Sequence, residues 1–477
     1  MSKEFEIEDE GNVTSPEKAE DEEIRKFQEE PGDDDGENRH PTVFNSMLFT
    51  ALLVVKGMIG AGILNLPLIF KTFGILGGMC LSLFLTIISG TVAYLLGRSK
   101  EISQRYSFAV YSKIAMGSAG CVFLKLSLFI MLSTLAIVQL IVFGDVLKGL
   151  SLLFYDINVK FLTLGIAIIL LPFMFQKDIS GITKIAHFGI IGLGIFCGTT
   201  IILFINKYNK NQIIFEKDML YPKGSLKELL LCAGGYYNAF TFHMSYFSYY
   251  LPLKPRNNKT MMKSTIIGSI ATAIIYSLYG ILFYLMYGNK INDSALKYLQ
   301  YELAESNKNN EKFLVFILVI CFLSFLVNAS ISTMIHFYLG KSHFIGLLKF
   351  VLKKRAEKND KKDIPLVDIK DDRKFNDDVQ SISVQENKEL LSERKQFYIT
   401  LGIYIYVIIM AISFDKIIIL DGFNGSTVSN YINLVSPSIF YLYFSRKKKY
   451  YGEKLIAIIN LTFGVGLILM YFILLFF

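Results

Sequence analysis

Residues 55–74 read VKGMIGAGILNLPLIFKTFG, and the reading of this stretch decides the fold. It lies inside an apolar segment that begins near Phe44 and is long enough to cross a bilayer. Membrane helices hold few breakers, yet Gly57, Gly60 and Gly62 fall within six positions, and Pro67 follows. Glycine costs about 1 kcal/mol against alanine in a helix interior, and proline about 3. Freed backbone groups are tolerated at membrane depth only where protein or a water-filled cavity satisfies them. One reading is therefore a helix broken near Gly60. Its second half would present amides to an anionic group, and its first half carbonyls to a cation. The other reading is that the glycines only permit close helix packing.

Working outward, the 477 residues are 52% hydrophobic, which points to a polytopic all-α membrane protein. The net charge of +8 does not point to nucleic acid, because the basic residues lie in short loops between apolar runs. The five cysteines (Cys80, Cys121, Cys197, Cys232, Cys321) fall in apolar segments and form neither a disulfide framework nor a metal pattern. Tyrosine must supply any aromatic belt, since tryptophan is absent. The N-terminus is acidic and polar, so no cleavable signal peptide is expected. Residues 1–42 read as a disordered cytosolic tail, either a regulatory docking segment or simply solvated.

The membrane domain, 43–477, divides into eleven apolar segments: 44–70, 74–97, 118–147, 161–176, 183–205, 228–251, 262–287, 312–338, 396–420, 423–445 and 453–477. Gly189, Gly192, Gly194 and Gly198 in the fifth suggest a close-packing face. A polar cytosolic loop, 349–395, separates the eighth from the ninth. Lys and Arg cluster at 98–113, 254–263, 353–355 and 446–449, which places the N-terminus inside and the C-terminus outside. The sequons at Asn292 and Asn424 would then face outward, and that at Asn258 the cytosol.

Secondary transporters are often built from inverted repeats with discontinuous helices at matching positions. In a five-plus-five repeat the partner of the first segment is the sixth, LLLCAGGYYNAFTFHMSYFSYYLP. Gly234 and Gly235 give it a break, and Asn238, Thr241 and His243 follow. His243 is either a coupling group or a neutral histidine bonded to a neighbouring helix. Lys56 lies about twelve residues, roughly 18 Å of helix, beyond Phe44. A buried ammonium there must be paired, reach water or shift its pKa, which suggests a structural or ion-substituting role. Ser332 and Thr333 in the eighth segment, with Ser330 and Asn328, are ion-site candidates or bond their own helix. Ser133, Thr134 and Gln139 in the third are equally open. No constellation reads as an enzyme. There is no P-loop, no metal-protease motif, no nucleophile elbow and no sign of a cofactor.

From Lys56 to Pro67, KGMIGAGILNLP, the chain resembles the amino acid/auxin permease family of the amino acid–polyamine–organocation superfamily. Phe240 to Lys263 resembles that family's sixth helix and basic loop, with His243 near a recurrent histidine. Asp421 to Leu442 resembles its tenth helix. The resemblance implies a LeuT-type inverted repeat with broken first and sixth helices, alternating access and amino acid transport. The substrate carboxylate would sit on the amides around Gly60, Ala61 and Gly62, with Gly57 and Ile59 further substrate-binding candidates. The amino group would meet carbonyls of the first and sixth helices. Side chains around Tyr237, Asn238 and Phe240 would select the substrate side chain, and Ser133 is a further substrate-binding candidate.

Sodium-coupled relatives are similar over this stretch but carry asparagine where this chain has Lys56. The proton-coupled members look closer, so a proton is the expected coupling ion, with sodium the alternative. Lys56, His243, Ser332 and Thr333 are the coupling or ion-site candidates. A rival reading is an amino-acid-sensing receptor with little transport, and another is a channel. Expected partners are an amino acid, the coupling ion and membrane lipid. The membrane is that of the cell surface or of a vacuole or lysosome. No acidic residue is evident in the candidate pocket, which disfavours a dedicated cationic substrate.

Overall fold

Ser46 caps the first helix. Its hydroxyl accepts from the Phe49 amide at 3.2 Å, and α1 runs Met47–Met58. Ile59 and Gly60 then leave helical geometry, and the chain makes a 3-10 turn over Ala61–Asn65. α2, Leu66–Ser103, starts with Pro67 in its first turn, where a missing N–H leaves nothing unpaired. Gly74 divides α2 with φ 69°. A Cβ at Gly74 would lie 2.5 Å from the Tyr221 carbonyl, so both the backbone angle and the close approach require glycine. The loop carrying Tyr221 also closes the preceding turn, since Lys223 and Gly224 donate their amides to Thr72 O at 3.0 and 3.2 Å.

The computed structural model describes residues 45–176, 189–360, 391–414 and 416–476. The tail at 1–42 and most of the polar stretch at 349–395 lie outside the described residues. After α2 come α3 (Phe108–Ser151, divided at Gly117 with φ 68°), α4 (Val159–Met174) and α5 (Gly189–Asn209). α6 (Leu226–Ala239) opens with a capping box between Ser225 and Glu228, and α7 is the short helix Tyr246–Tyr250. α8 (Asn258–Tyr287), α9 (Ala295–Lys308), α10 (Lys312–Asp360) and α11 (Glu393–Ser413) follow. The last stretch is interrupted too: α12 (Ile417–Ser426), α13 (Val428–Asn430), a π-helical turn over Tyr431–Val435, α14 (Ser436–Phe444) and α15 (Tyr451–Phe476).

The described residues are helical, with a single bridge between Asn45 and Leu253 and no strand. Six helical stretches among them are long and apolar enough to cross a membrane. Met47–Met58 and Val159–Met174 are shorter apolar helices. α3 packs along α10, α2 along α8, and α6 along α12.

Four expectations change. Gly234 and Gly235 do not break the sixth segment; both lie within α6. A Cβ on Gly425 would fall 1.8 Å from Gly234 O, and one on Gly234 would fall 2.7 Å from Gly422 O. These glycines let α6 and α12 meet backbone to backbone, the small-residue packing that bilayers favour. In α5 only Gly192 of the resolved glycines approaches another helix, at Ser324; a Cβ on Gly194 or Gly198 would meet nothing within 4 Å. Asn424 does not face outward as a sequon should, being fully buried in α12. Finally, α10 continues to Asp360, past the start assigned to the polar loop, and 295–308 forms a helix that a hydropathy scan misses. α9 is amphipathic, burying Ala295, Leu296, Leu299 and Leu303 at helical spacing.

Candidate functional site

Two interruptions lie side by side. In the first, α1 gives way at Ile59 and Gly60; in the second, α6 ends at Ala239 and regular helix resumes only after His243–Ser245. The break of the sixth segment is thus at Phe240–Phe242, several residues beyond the glycines. A Cβ on Gly62 would touch Ala239 Cβ at 3.0 Å, and one on Gly57 would lie 3.3 Å from Phe242 Cβ. Gly60 is different, because a Cβ there would meet nothing within 4 Å. No side chain caps the turn that starts after Gly60, so its first amides keep the donor capacity of an open helix start.

The carbonyls at the ends of the two first halves share one donor. Tyr276 Oη of α8 lies 2.8 Å from Met58 O and 3.1 Å from Ala239 O. Phe240, 1% exposed, packs edge-on against the Tyr276 ring with centroids 5.3 Å apart. The start of the second half of the sixth segment is capped across the bundle, the Met244 amide donating to Asn433 Oδ1 at 3.1 Å. Asn433 lies in the π-helical turn, where an extra residue per turn turns a side chain inward.

A cavity of about 30 Å³ opens beside Gly60, lined by Ile59, Phe196 of α5 and Ser324 and Asn328 of α10, among others. It has room for a water but not for an amino acid. Ser133 faces elsewhere. With Thr134, Tyr406 and Phe423 it lines an apolar crevice of about 830 Å³ between α3, α11 and α12.

The remaining candidates are placed as follows. Lys56 is half-buried in the last turn of α1, where the helix dipole favours a cation. His243 is 1% exposed, with Nε2 3.0 Å from Ser89 O and 3.3 Å from Ser89 Oγ; among the described residues its Nδ1 has no hydrogen-bond partner. Thr333 donates to Ala329 O of its own helix at 2.7 Å, and Ser332 is half-buried beside it. Tyr237 is buried, its hydroxyl without a hydrogen-bond partner among the described residues. Asn238 Nδ2 reaches Asp421 Oδ1 at 3.5 Å.

Asp421 places an acidic side chain beside the candidate residue Asn238, without lining the cavity at Gly60. It is 1% exposed, and Asn65 Nδ2 donates to its Oδ2 at 2.7 Å. The apolar segments 396–420 and 423–445 leave it between spans, although the stretch that resembles the family's tenth helix begins at this residue. Asn65, in the quoted stretch, was passed over as well. The available signal was the acidic residue itself, at the start of a segment otherwise apolar.

Residues 45–477 match the family model described as transmembrane amino acid transporter protein. The chain belongs to that family. Within this transporter family it is similar to the amino acid transporter AVT6C of Arabidopsis thaliana, at 22% identity over 255 residues. That match covers 50% of this chain and 58% of the relative, so the chain spans little more than half the relative's length. Among solved structures, a mutant manganese transporter of Eremococcus coleocola is matched at 13% identity and a TM-score of 0.40, over 91% of this chain and 98% of that one. So loose a superposition bears on neither fold nor substrate.

Proposed function

We propose that this chain is a secondary active transporter that carries amino acids across a membrane by alternating access, driven by protons. The observation that carries the reading is the pairing of two helix interruptions, at Ile59–Gly60 and at Phe240–Phe242, in contact through Gly62 and Ala239. Such a pair puts uncapped amides and end-of-helix carbonyls in one place, a complement to a zwitterion. The substrate carboxylate takes the amides around Gly60, Ala61 and Gly62, with Gly57 and Ile59 shaping the approach. The ammonium takes the direction of Met58 O and Ala239 O, where the Tyr276 hydroxyl now donates. Tyr237, Asn238 and Phe240 border the side chain.

In this reading eleven segments cross the membrane. The divisions at Gly74 and Gly117 support it, by separating a first span at 47–73 from a second at 75–103 and opening the third at 118. α4, α5, α6 with α7, α8, α10, α11, α12 to α14, and α15 complete the set. The LeuT-type five-plus-five repeat relates α1–α2 to α6–α7. Basic loops place the N-terminus in the cytosol and the C-terminus outside. The membrane is that of the cell surface or of a vacuole or lysosome.

The test is uptake of a panel of labelled amino acids into liposomes under an inward proton gradient, an inward sodium gradient, or neither. Proton-driven accumulation is expected. Sodium-driven accumulation overturns the coupling assignment, and no saturable uptake by substrate-binding protein overturns transport itself.

A further inference from the structure

We propose that Asp421 carries the coupling proton, an inference that rests on the proton-driven reading above. One carboxyl group touches both interrupted helices. Asn65, which donates to Oδ2 at 2.7 Å, is the last residue of the turn that follows Gly60. Asn238, which reaches Oδ1 at 3.5 Å, immediately precedes the end of α6. Asp421 itself sits on α12, whose helix is interrupted in turn at Thr427.

The surroundings suit a group that gains and loses a proton. A permanently charged carboxylate inside a bilayer is expensive and is normally paired. Among the described residues no other side chain hydrogen-bonds or ion-pairs with Asp421, and both donors are neutral amides. The Tyr276 hydroxyl of α8 is engaged with Met58 O and Ala239 O rather than with Asp421. Among the described residues of α3 and α15 no acidic or basic side chain bonds to it. Amide partners serve both protonation states, because an asparagine can present either its NH₂ or its oxygen. The ionised carboxylate accepts from Asn65 and Asn238 together and ties α12 to both broken helices. The neutral acid has one O–H to donate and a weaker hold on the rest. Taking up one proton on one side of the membrane and releasing it on the other would therefore loosen and restore the ties between the parts that must move.

Recognition of a cationic substrate is the competing use of a buried carboxylate. Asp421 is held by two neutral amides, and the selectivity of its variants separates the two uses.

The experiment compares full-length protein with Asp421→Asn in liposomes, reading two rates. One is exchange of labelled amino acid at equal pH on both sides; the other is accumulation under an inward proton gradient. Proton carriage predicts that in Asp421→Asn gradient-driven accumulation falls roughly tenfold or more beyond any change in exchange, a typical size for a coupling factor. Accumulation at the unmodified level by Asp421→Asn overturns the proposal. Loss confined to cationic amino acids, with neutral ones still driven by protons, overturns it in favour of substrate recognition. If Asp421→Asn does not fold, Asp421→Glu decides: a shifted pH midpoint of uptake supports proton carriage, and an unshifted profile overturns it. If the unmodified protein accumulates nothing under a proton gradient, the proton-driven reading fails first and takes this assignment with it.

Discussion

The Asn65 side-chain amide donates to the Asp421 carboxyl at 2.7 Å although the two residues are 356 positions apart. The bond ties the restart of the first broken helix to α12. It is buried, so neither partner has water as a substitute.

Asn65→Ala removes the shorter of the two donors. Leaving a buried polar group without its partner costs about 1–3 kcal/mol. The expected result is a lower Tm in detergent together with slower amino acid exchange. A variant with unchanged Tm and unchanged exchange would show that the bond holds nothing in place.

Tyr276→Phe keeps the ring against Phe240 and deletes only the hydroxyl shared by Met58 O and Ala239 O. Two carbonyls then lose a donor at the point where the substrate ammonium is proposed to bind. A stability loss of about 1 kcal/mol is expected for the missing hydrogen bond. The half-saturation concentration for uptake should rise as well, because the hydroxyl sets the spacing of the two carbonyls. An unchanged uptake curve against substrate concentration would exclude that positioning role.

Gly425→Ala and Gly60→Ala should behave oppositely. The added methyl at Gly425 would collide with Gly234 O, a backbone atom that cannot swing aside, at 1.8 Å. Overpacking commonly costs about 1–3 kcal/mol and more where backbone must move, so little folded protein is expected. At Gly60 the methyl enters open space, so the fold survives, but it occupies the place proposed for the substrate. Size-exclusion profiles and exchange assays on both variants separate these outcomes. A folded, inactive Gly425→Ala or a fully active Gly60→Ala would contradict the assignment.

His243→Gln tests whether the histidine is more than a hydrogen-bond donor. Its Nε2 meets Ser89 O at 3.0 Å, and a glutamine amide can supply a donor to that carbonyl without a titratable ring. Retained proton-driven uptake is expected. Uptake that loses its proton dependence while exchange persists would move the coupling role from Asp421 to His243.

Much of the fold was legible because membrane constraints are one-dimensional. An apolar run must span, a basic loop must stay on one side, and a cluster of glycines with a proline must interrupt. Thus an interruption near Gly60 is one of the two readings that the chain allows, and it is the one the structure shows. The second interruption was misplaced because glycine has two uses. Gly234 and Gly235 admit a neighbouring backbone, while Phe240–Phe242, without glycine or proline, leaves the helix under tertiary constraints: Asn433 takes the Met244 amide, and Tyr276 takes Ala239 O. Nothing local marks that choice.

What the sequence determined by itself is the class of molecule: a helical membrane protein whose first apolar segment carries a cluster of glycines and a proline. Those features follow from local composition and spacing. Only the tertiary structure decided which polar side chains meet. Asn65, Asn238 and Asp421 converge because three helices distant in sequence pack with small residues between them. Away from water, a buried carboxyl group must find its partners among whatever that packing brings within reach.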